Sequence, residues 1–221
     1  MSSYTFSRGI DQAFSSVAGN PTGGAVSQTY LNLAQRGLSS AHRKHVWTTS
    51  SVYEIPFGKG RKYMNKGGVA SFVIGGWQFS TITSVQSGGA FAVTVQGGAA
   101  RVNTGSDQRP NRIRDASLSS SERSINRWFD TSAYVAAPLY TFGSEETRTS
   151  IMPGSVNVDV NLKKAFAIHE RINLEYRAEF FNVFNRTNFG QPGSVLGTPS
   201  YGIISASGPA RVSQMSLKLV F

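Results

Sequence analysis

Apolar and polar residues alternate with a period of two along five stretches of this chain, and that periodicity predicts strands. In the clearest stretch, 156–163, Val156, Val158, Val160 and Leu162 alternate with Asn157, Asp159, Asn161 and Lys163. After a break at Ile168, His169, Glu170 and Arg171, alternation resumes from Ile172. There Leu174, Tyr176, Ala178 and Phe180 share one face with Ile172, and Asn173, Glu175, Arg177 and Glu179 share the other. Two such runs joined by a few residues predict an antiparallel hairpin. Near the end of the chain Met215, Leu217, Leu219 and Phe221 oppose Gln214, Ser216, Lys218 and Val220. Upstream, Trp47, Thr49, Ser51, Tyr53 and Ile55 alternate with Val46, Thr48, Ser50, Val52 and Glu54. A further run sets Trp77, Phe79, Thr81, Thr83 and Val85 against Gln78, Ser80, Ile82, Ser84 and Gln86. A sixth, partial strand is predicted around Tyr4, Thr5, Phe6 and Ser7, and a short helical turn near 119–129. No long segment has helical periodicity.

The predicted strands are about 10 residues long, the length a tilted strand needs to cross a bilayer. Long connections (9–44, 96–154, 185–210) alternate with shorter ones (58–75, 167–171). The charges Glu54, Asp159, Lys163, Glu175, Arg177, Glu179 and Lys218 all fall on the polar face, leaving the apolar face uncharged. Aromatic residues gather near the ends of the apolar face at Trp47, Tyr53, Trp77, Phe180 and Phe184, as in the interfacial girdles of membrane barrels. Alternation alone also fits a small soluble β-barrel or sandwich that binds a ligand inside. Strand length, loop asymmetry and the aromatic ends favour an all-β, antiparallel transmembrane barrel.

Composition sharpens this picture. The 221 residues are 39% hydrophobic and only 15% charged, well below the roughly 25% charge of an average soluble domain. The 14 Phe and 8 Tyr argue against disorder. With no cysteine, disulfides, thiolate metal sites and cysteine nucleophiles are excluded. The start of the chain has no basic segment followed by an apolar one, so no signal peptide is expected. The net charge of +10 raises the question of nucleic acid. Its one cluster, however, is a short Gly/Lys turn with Lys59, Arg61, Lys62 and Lys66, while 96–153 holds seven arginines against six acids. No nucleic-acid partner is expected from that distribution.

No catalytic group, cofactor site or metal site is expected. His42 and His45 stand beside Arg43 and Lys44, whose charge opposes a metal cation. Glu175 and Glu179 lie about 13 Å apart along a strand with Arg177 between them, too far for a glycosidase pair, and read as a charge ladder. Ser39, Ser40 and the serines at 119–121 have no positioned base. The glycines at 88–89 and 97–98 lack the strand–helix setting of a phosphate loop. Ligand contacts are expected from 96–154, with Arg101, Arg109, Arg112, Arg114, Trp128, Phe129 and Tyr134.

Three sets of residues resemble the late barrel of TonB-dependent outer-membrane receptors of the Oar-like type. They are 42–60, from His42 through Tyr53, Pro56 and Gly58 to Gly60; 75–91, with Gly75, Gly76, Trp77, Gly88 and Phe91; and 173–190, from Asn173 through Tyr176, Phe180, Asn182 and Asn185 to Gly190. The aromatic Phe221, with Met215, Leu217 and Leu219 at alternate positions before it, is similar to the signal by which the outer-membrane assembly machinery recognises its clients. The resemblance implies a receptor that takes up or binds a large external ligand, a plug rearranged through the TonB energy-coupling complex, and a barrel of about 22 strands. It implies strands running down over 45–56, up over 76–95, down over 155–166, up over 172–184 and down to Phe221. The long segments then lie outside the cell and the basic turn in the periplasm. Residues 1–221 read as the C-terminal portion of such a barrel, five or six strands of it, with plug domain and signal peptide absent; the expectation is a fragment.

Overall fold

The computed structural model describes residues 1–11, 37–58, 60–65, 68–96, 109–146, 148–169 and 172–221. Six strands make one sheet: β1 (Ser2–Phe6), β2 (His45–Glu54), β3 (Trp77–Gln86), β4 (Ser155–His169), β5 (Ile172–Phe181) and β6 (Val212–Val220). Each is antiparallel to the next in chain order, with β1 and β6 at the edges and no ladder between them, so the sheet is open. Every predicted run is a strand, the partial N-terminal one included. The alternation dictates the register. Tyr53, Phe79, Leu162, Ala178 and Met215 line up across five strands, and on the opposite face so do Gln78, Lys163, Arg177 and Ser216 across four.

Several boundaries differ from the reading of the sequence: the strand expected over 45–56 ends at Glu54, and that over 172–184 ends at Phe181, before Asn182 with its φ of +52°. The strand expected over 76–95 ends at Gln86, because Gly88 meets another backbone there: a Cβ on Gly88 would fall 1.6 Å from the Met152 carbonyl oxygen. β4 runs beyond 166 to His169, with an irregularity between Ala167 and His169, so only 170–171, outside the described residues, join it to β5. A six-residue helix, α1 (Val69–Ile74), also stands between β2 and β3 where no helix was expected. Residues 119–129, expected to hold a helical turn, form turns and a bridge between Ser124 and Arg127. A 3-10 turn follows at Thr131–Ala133. No described helix is long and apolar enough to cross a membrane.

The sheet is a single layer. Of the buried hydrophobic residues described, only Ala178 lies in its strands. The packed core is built instead from the connections: Phe91, Val93, Ala116, Phe129, Ala133 and Tyr134, with Trp128, Met152 and Tyr201 against them. Short ladders tie these connections together, Ala90–Phe91 with Ser150–Ile151, Asn111–Arg112 with Tyr134–Val135, and Thr94–Val95 with Val195–Leu196. The pairings Phe6–His45, Val46–Gln86 and Gln86–Ser155 put the connections β1–β2 and β3–β4 at one end of the sheet. The pairing Phe181–Val212 adds β5–β6 to that same end. The other two connections lie at the opposite end. This separation follows from the meander and decides where a loop can meet a ligand.

Candidate membrane face and loop site

A one-layer amphipathic sheet leaves its apolar side chains uncovered. Tyr53, Met215 and Leu217 are 57%, 66% and 67% exposed, and Tyr4, Phe6, Trp47 and Leu219 are exposed beside them. A soluble sandwich buries this face against a second sheet, and among the described residues no second sheet stands there. A contiguous apolar surface of this extent marks a membrane or partner contact. The ten residues of β2 and β3 extend about 33 Å at about 3.3 Å each, or about 25 Å at a 40° tilt, the height of an outer-membrane barrel's apolar band.

Of the expected girdle, Trp47, Tyr53, Trp77 and Phe180 each lie within two residues of a strand end, and Phe184 is exposed just past β5. The indole N–H of Trp47 donates to Ser2 Oγ at 3.0 Å and that of Trp77 to the Val73 carbonyl at 3.1 Å. Trp77 meets Tyr176 edge-on at 5.9 Å. The rings thus join an apolar body to a polar tip, the character of interfacial aromatic residues.

The apolar face is not free of charge, as the sequence pattern over 156–163 suggested. Extending that pattern one residue puts Lys164 on the apolar face, opposite Trp77 and Tyr176. Lys164 is buried at 3% exposure beneath α1. Its Nζ donates to the carbonyls of Phe72, Val73 (2.8 Å) and Gly75 (2.5 Å), and lies 4.5 Å from the Phe166 ring centre. The last carbonyls of a helix have no intrahelical partner, so a buried ammonium and a short helix satisfy each other. Neither was legible in the sequence as a pair; a lysine in phase with Val160 and Leu162 was the available signal.

On the polar face the predicted ladder forms. Glu175 accepts from Lys163 Nζ and Arg177 Nη2, both at 3.0 Å, and Arg177 Nη1 stands 3.7 Å from Glu179. Asn161 donates to Glu179 at 2.9 Å. Asp159 accepts from Asn157 Nδ2 at 2.7 Å and from the Asn182 N–H at 2.9 Å. Glu54 pairs with Arg61 at 2.5 Å, and Lys218 stands opposite Glu175 in register. Arg177 is shared by the two glutamates, so the arrangement is a run of ion pairs along one face.

The expected ligand residues of the loop divide. Phe129 is buried in the loop core, edge-on to Tyr134 and Tyr201, and Arg109 is buried with Nη1 toward the Glu145 carbonyl at 3.5 Å. Both hold the loop together and are not offered on its surface, because the connections pack on one another. Tyr134 is buried as well, its hydroxyl 2.8 Å from Ser150 Oγ. Trp128 is half-buried, donating to the Ile151 carbonyl at 2.8 Å under the guanidinium of Arg123. Arg112 and Arg114 remain at the surface, bound to Asp115 (2.9 Å) and Asp130 (2.8 Å). Arg101 lies outside the described residues, as do 97–98. Asp130, which the sequence reading passed over, caps the 3-10 turn, accepting from the Ser132 N–H and hydroxyl; that hydroxyl and Arg114 hold its carboxyl below the ordinary carboxylate range. An aspartate two residues before a serine was the available signal. Burial raises the carboxyl of Glu145, which Thr149 Oγ1 contacts.

His42 and His45 do not converge. His42 is buried, its ring accepting from the Gly9 N–H at 3.2 Å, and His45 stacks near Tyr4, whose hydroxyl is 2.8 Å from its Nδ1.

An open antiparallel wall with one uncovered apolar face, one charged face and its long connections gathered at one end is the architecture of a membrane β-barrel wall. The family model described as an outer membrane beta barrel domain matches residues 1–214, and the chain belongs to that family. The protein is accordingly an outer-membrane protein in contact with the lipid bilayer. No curated protein and no solved structure matches the chain.

Proposed function

We propose that these six strands are part of the wall of a TonB-dependent receptor of the Oar-like type, a barrel of about 22 strands that binds or imports a large external ligand. The observation that carries this reading is that the connections β1–β2, β3–β4 and β5–β6 all leave the sheet at one end, where described residues of 87–154 and 182–211 pack into a cap with its own core. A rigid wall bearing large structured loops suits ligand capture. The polar face then lines the lumen, where the Lys163–Glu175–Arg177–Glu179 ladder faces the plug, and the loop end faces outward. Arg112 and Trp128, neither of them fully buried, are the loop residues we assign to ligand contact. β6, with Met215, Leu217, Leu219 and Phe221 on one face, is the strand for the barrel-assembly machinery. The role we assign is transport and not catalysis, with Glu175 and Glu179, both engaged by Arg177, read as a charge ladder.

Orientation is tested with a membrane-impermeant maleimide on intact cells. Tyr140→Cys in the cap is expected to label without permeabilisation, and Lys62→Cys at the other end only after it. Labelling in the reverse order overturns the assignment. The energy-coupling role is tested by photo-crosslinking the full-length protein to TonB in cells; no crosslink, with the barrel assembled, refutes it.

A further inference from the structure

The segment 55–76, which joins β2 to β3 away from the cap, has no part in the wall or the loops. Its close packing is built in: Gly58 has φ +112°, and a Cβ on Gly75 would fall 2.5 Å from the Gly58 Cα. This holds α1 against the end of the sheet, where Phe72 meets Phe166 at 5.4 Å and Lys164 binds the carbonyls at the helix end. The outer side of α1 is apolar and uncovered: Val69 is 81% exposed, and Phe72, Val73 and Ile74 are each about half exposed. Through Phe72 this surface runs on into the apolar face of the sheet, at the level of Trp77 and Tyr176. In sequence, 55–76 carries Lys59, Arg61, Lys62 and Lys66 and no acid, Lys59 and Lys66 lying outside the described residues. Arg61 is taken by Glu54, whereas Lys62 is exposed, its ammonium 5.3 Å from the ring of the equally exposed Tyr63.

We propose that this segment is an interfacial anchor. α1 lies in the headgroup–acyl boundary of the leaflet at this end, and the basic residues of the segment, the exposed Lys62 among them, bind the phosphates of anionic phospholipids. The occupant follows from continuity. A surface that prolongs the lipid-facing wall is covered by the lipid that covers the wall, and a soluble partner would have to enter the bilayer to reach it. Lys164 satisfies the carbonyls of Phe72, Val73 and Gly75 at the end of the helix, and the remaining free N–H groups of so short a helix suit the hydrated headgroup boundary and not the hydrocarbon. An apolar helix surface in a segment whose sequence is rich in lysine and carries an exposed tyrosine is the composition of a segment lying in the interface. The inference rests on the barrel reading above.

The chain has no cysteine, so Val69→Cys, Val73→Cys and Val160→Cys each carry a single nitroxide in the full chain reconstituted into vesicles. Val160 faces outward from the middle of the wall and serves as reference. The labels at 69 and 73 are expected to collide with oxygen more than with a water-soluble nickel chelate, at shallower depth than at 160. They are also expected to move deeper when phosphatidylglycerol is added to phosphatidylcholine, a shift abolished by the K59Q/K62Q/K66Q triple variant. Labels at 69 and 73 that report water while 160 reports lipid overturn the anchor and leave the wall standing. A depth indifferent to phosphatidylglycerol also overturns it. A label at 160 that reports water refutes the barrel reading itself.

Discussion

Lys164→Met isolates the ammonium that holds α1 to the wall, keeping the length and apolar stem of the side chain. Three carbonyls lose their donor: those of Phe72, Val73 and Gly75. A hydrogen bond from a charged donor contributes about 1.5–3 kcal/mol, and a carbonyl left unmet in a dry site costs about 1–3 kcal/mol. The contact with the Phe166 ring adds about 0.5–1 kcal/mol. Against this stands the desolvation of a buried ammonium, which is itself several kcal/mol. The balance leaves about 3 kcal/mol favouring the docked helix, roughly a hundredfold in its docking equilibrium. The assay is hydrogen exchange at the amides of Phe72 and Gly75, which bond to Gly68 O at 3.0 Å and Ser71 O at 2.9 Å. Both should exchange roughly a hundred times faster in Lys164→Met, with the amides of β4 unchanged. Lys163→Met, one residue away on the opposite face, should leave α1 untouched. Equal protection of α1 in wild type and Lys164→Met, with the sheet intact, would refute the reasoning.

Other substitutions probe the remaining features. Leu217→Arg puts a charge on the exposed apolar face and should cost about 2–4 kcal/mol in bilayer folding, against near zero for Ser216→Arg on the opposite face; equal costs in urea titrations in vesicles would show the faces misassigned. Gly75→Ala drives a methyl into the Gly58 backbone at 2.5 Å and should destabilise the 55–76 turn by about 1–3 kcal/mol, read as faster exchange at the Gly76 amide. Asp130→Ala removes a cap and the Arg114 ion pair and should cost the loop about 1–2 kcal/mol, seen as faster protease nicking within 109–146. Because the Asp130 carboxyl is held below its ordinary value, its contribution is complete above about pH 4 and lost as pH falls through the lowered value. Nicking of the wild type should therefore approach that of the variant only in acid.

Alternation at a period of two is local, and it was enough to locate the strands, their two faces and the hairpin of β4 and β5; the directions of the other strands came from the family resemblance. With the face assigned, the ladder from Lys163 to Glu179 follows, since neighbouring strands in a meander must place those charges side by side. That Trp47, Tyr53, Trp77 and Phe180 lie near strand ends follows in the same way. The residues that escaped this reading all depend on contacts distant in sequence. α1 has only six residues, several of them β-branched, too few for periodicity to declare a helix. It is held by an ammonium about ninety residues away on β4, whose burial reversed the expectation of an uncharged apolar face. Phe129 and Arg109 have the composition of ligand contacts, but packing among the described residues of the connections, such as Phe129 on Tyr201, turned them inward. Side-chain period is a property of each strand by itself, so the sequence determined the wall. The position of α1 and the interior of the cap depend on which distant segments meet, and only the tertiary structure decided those.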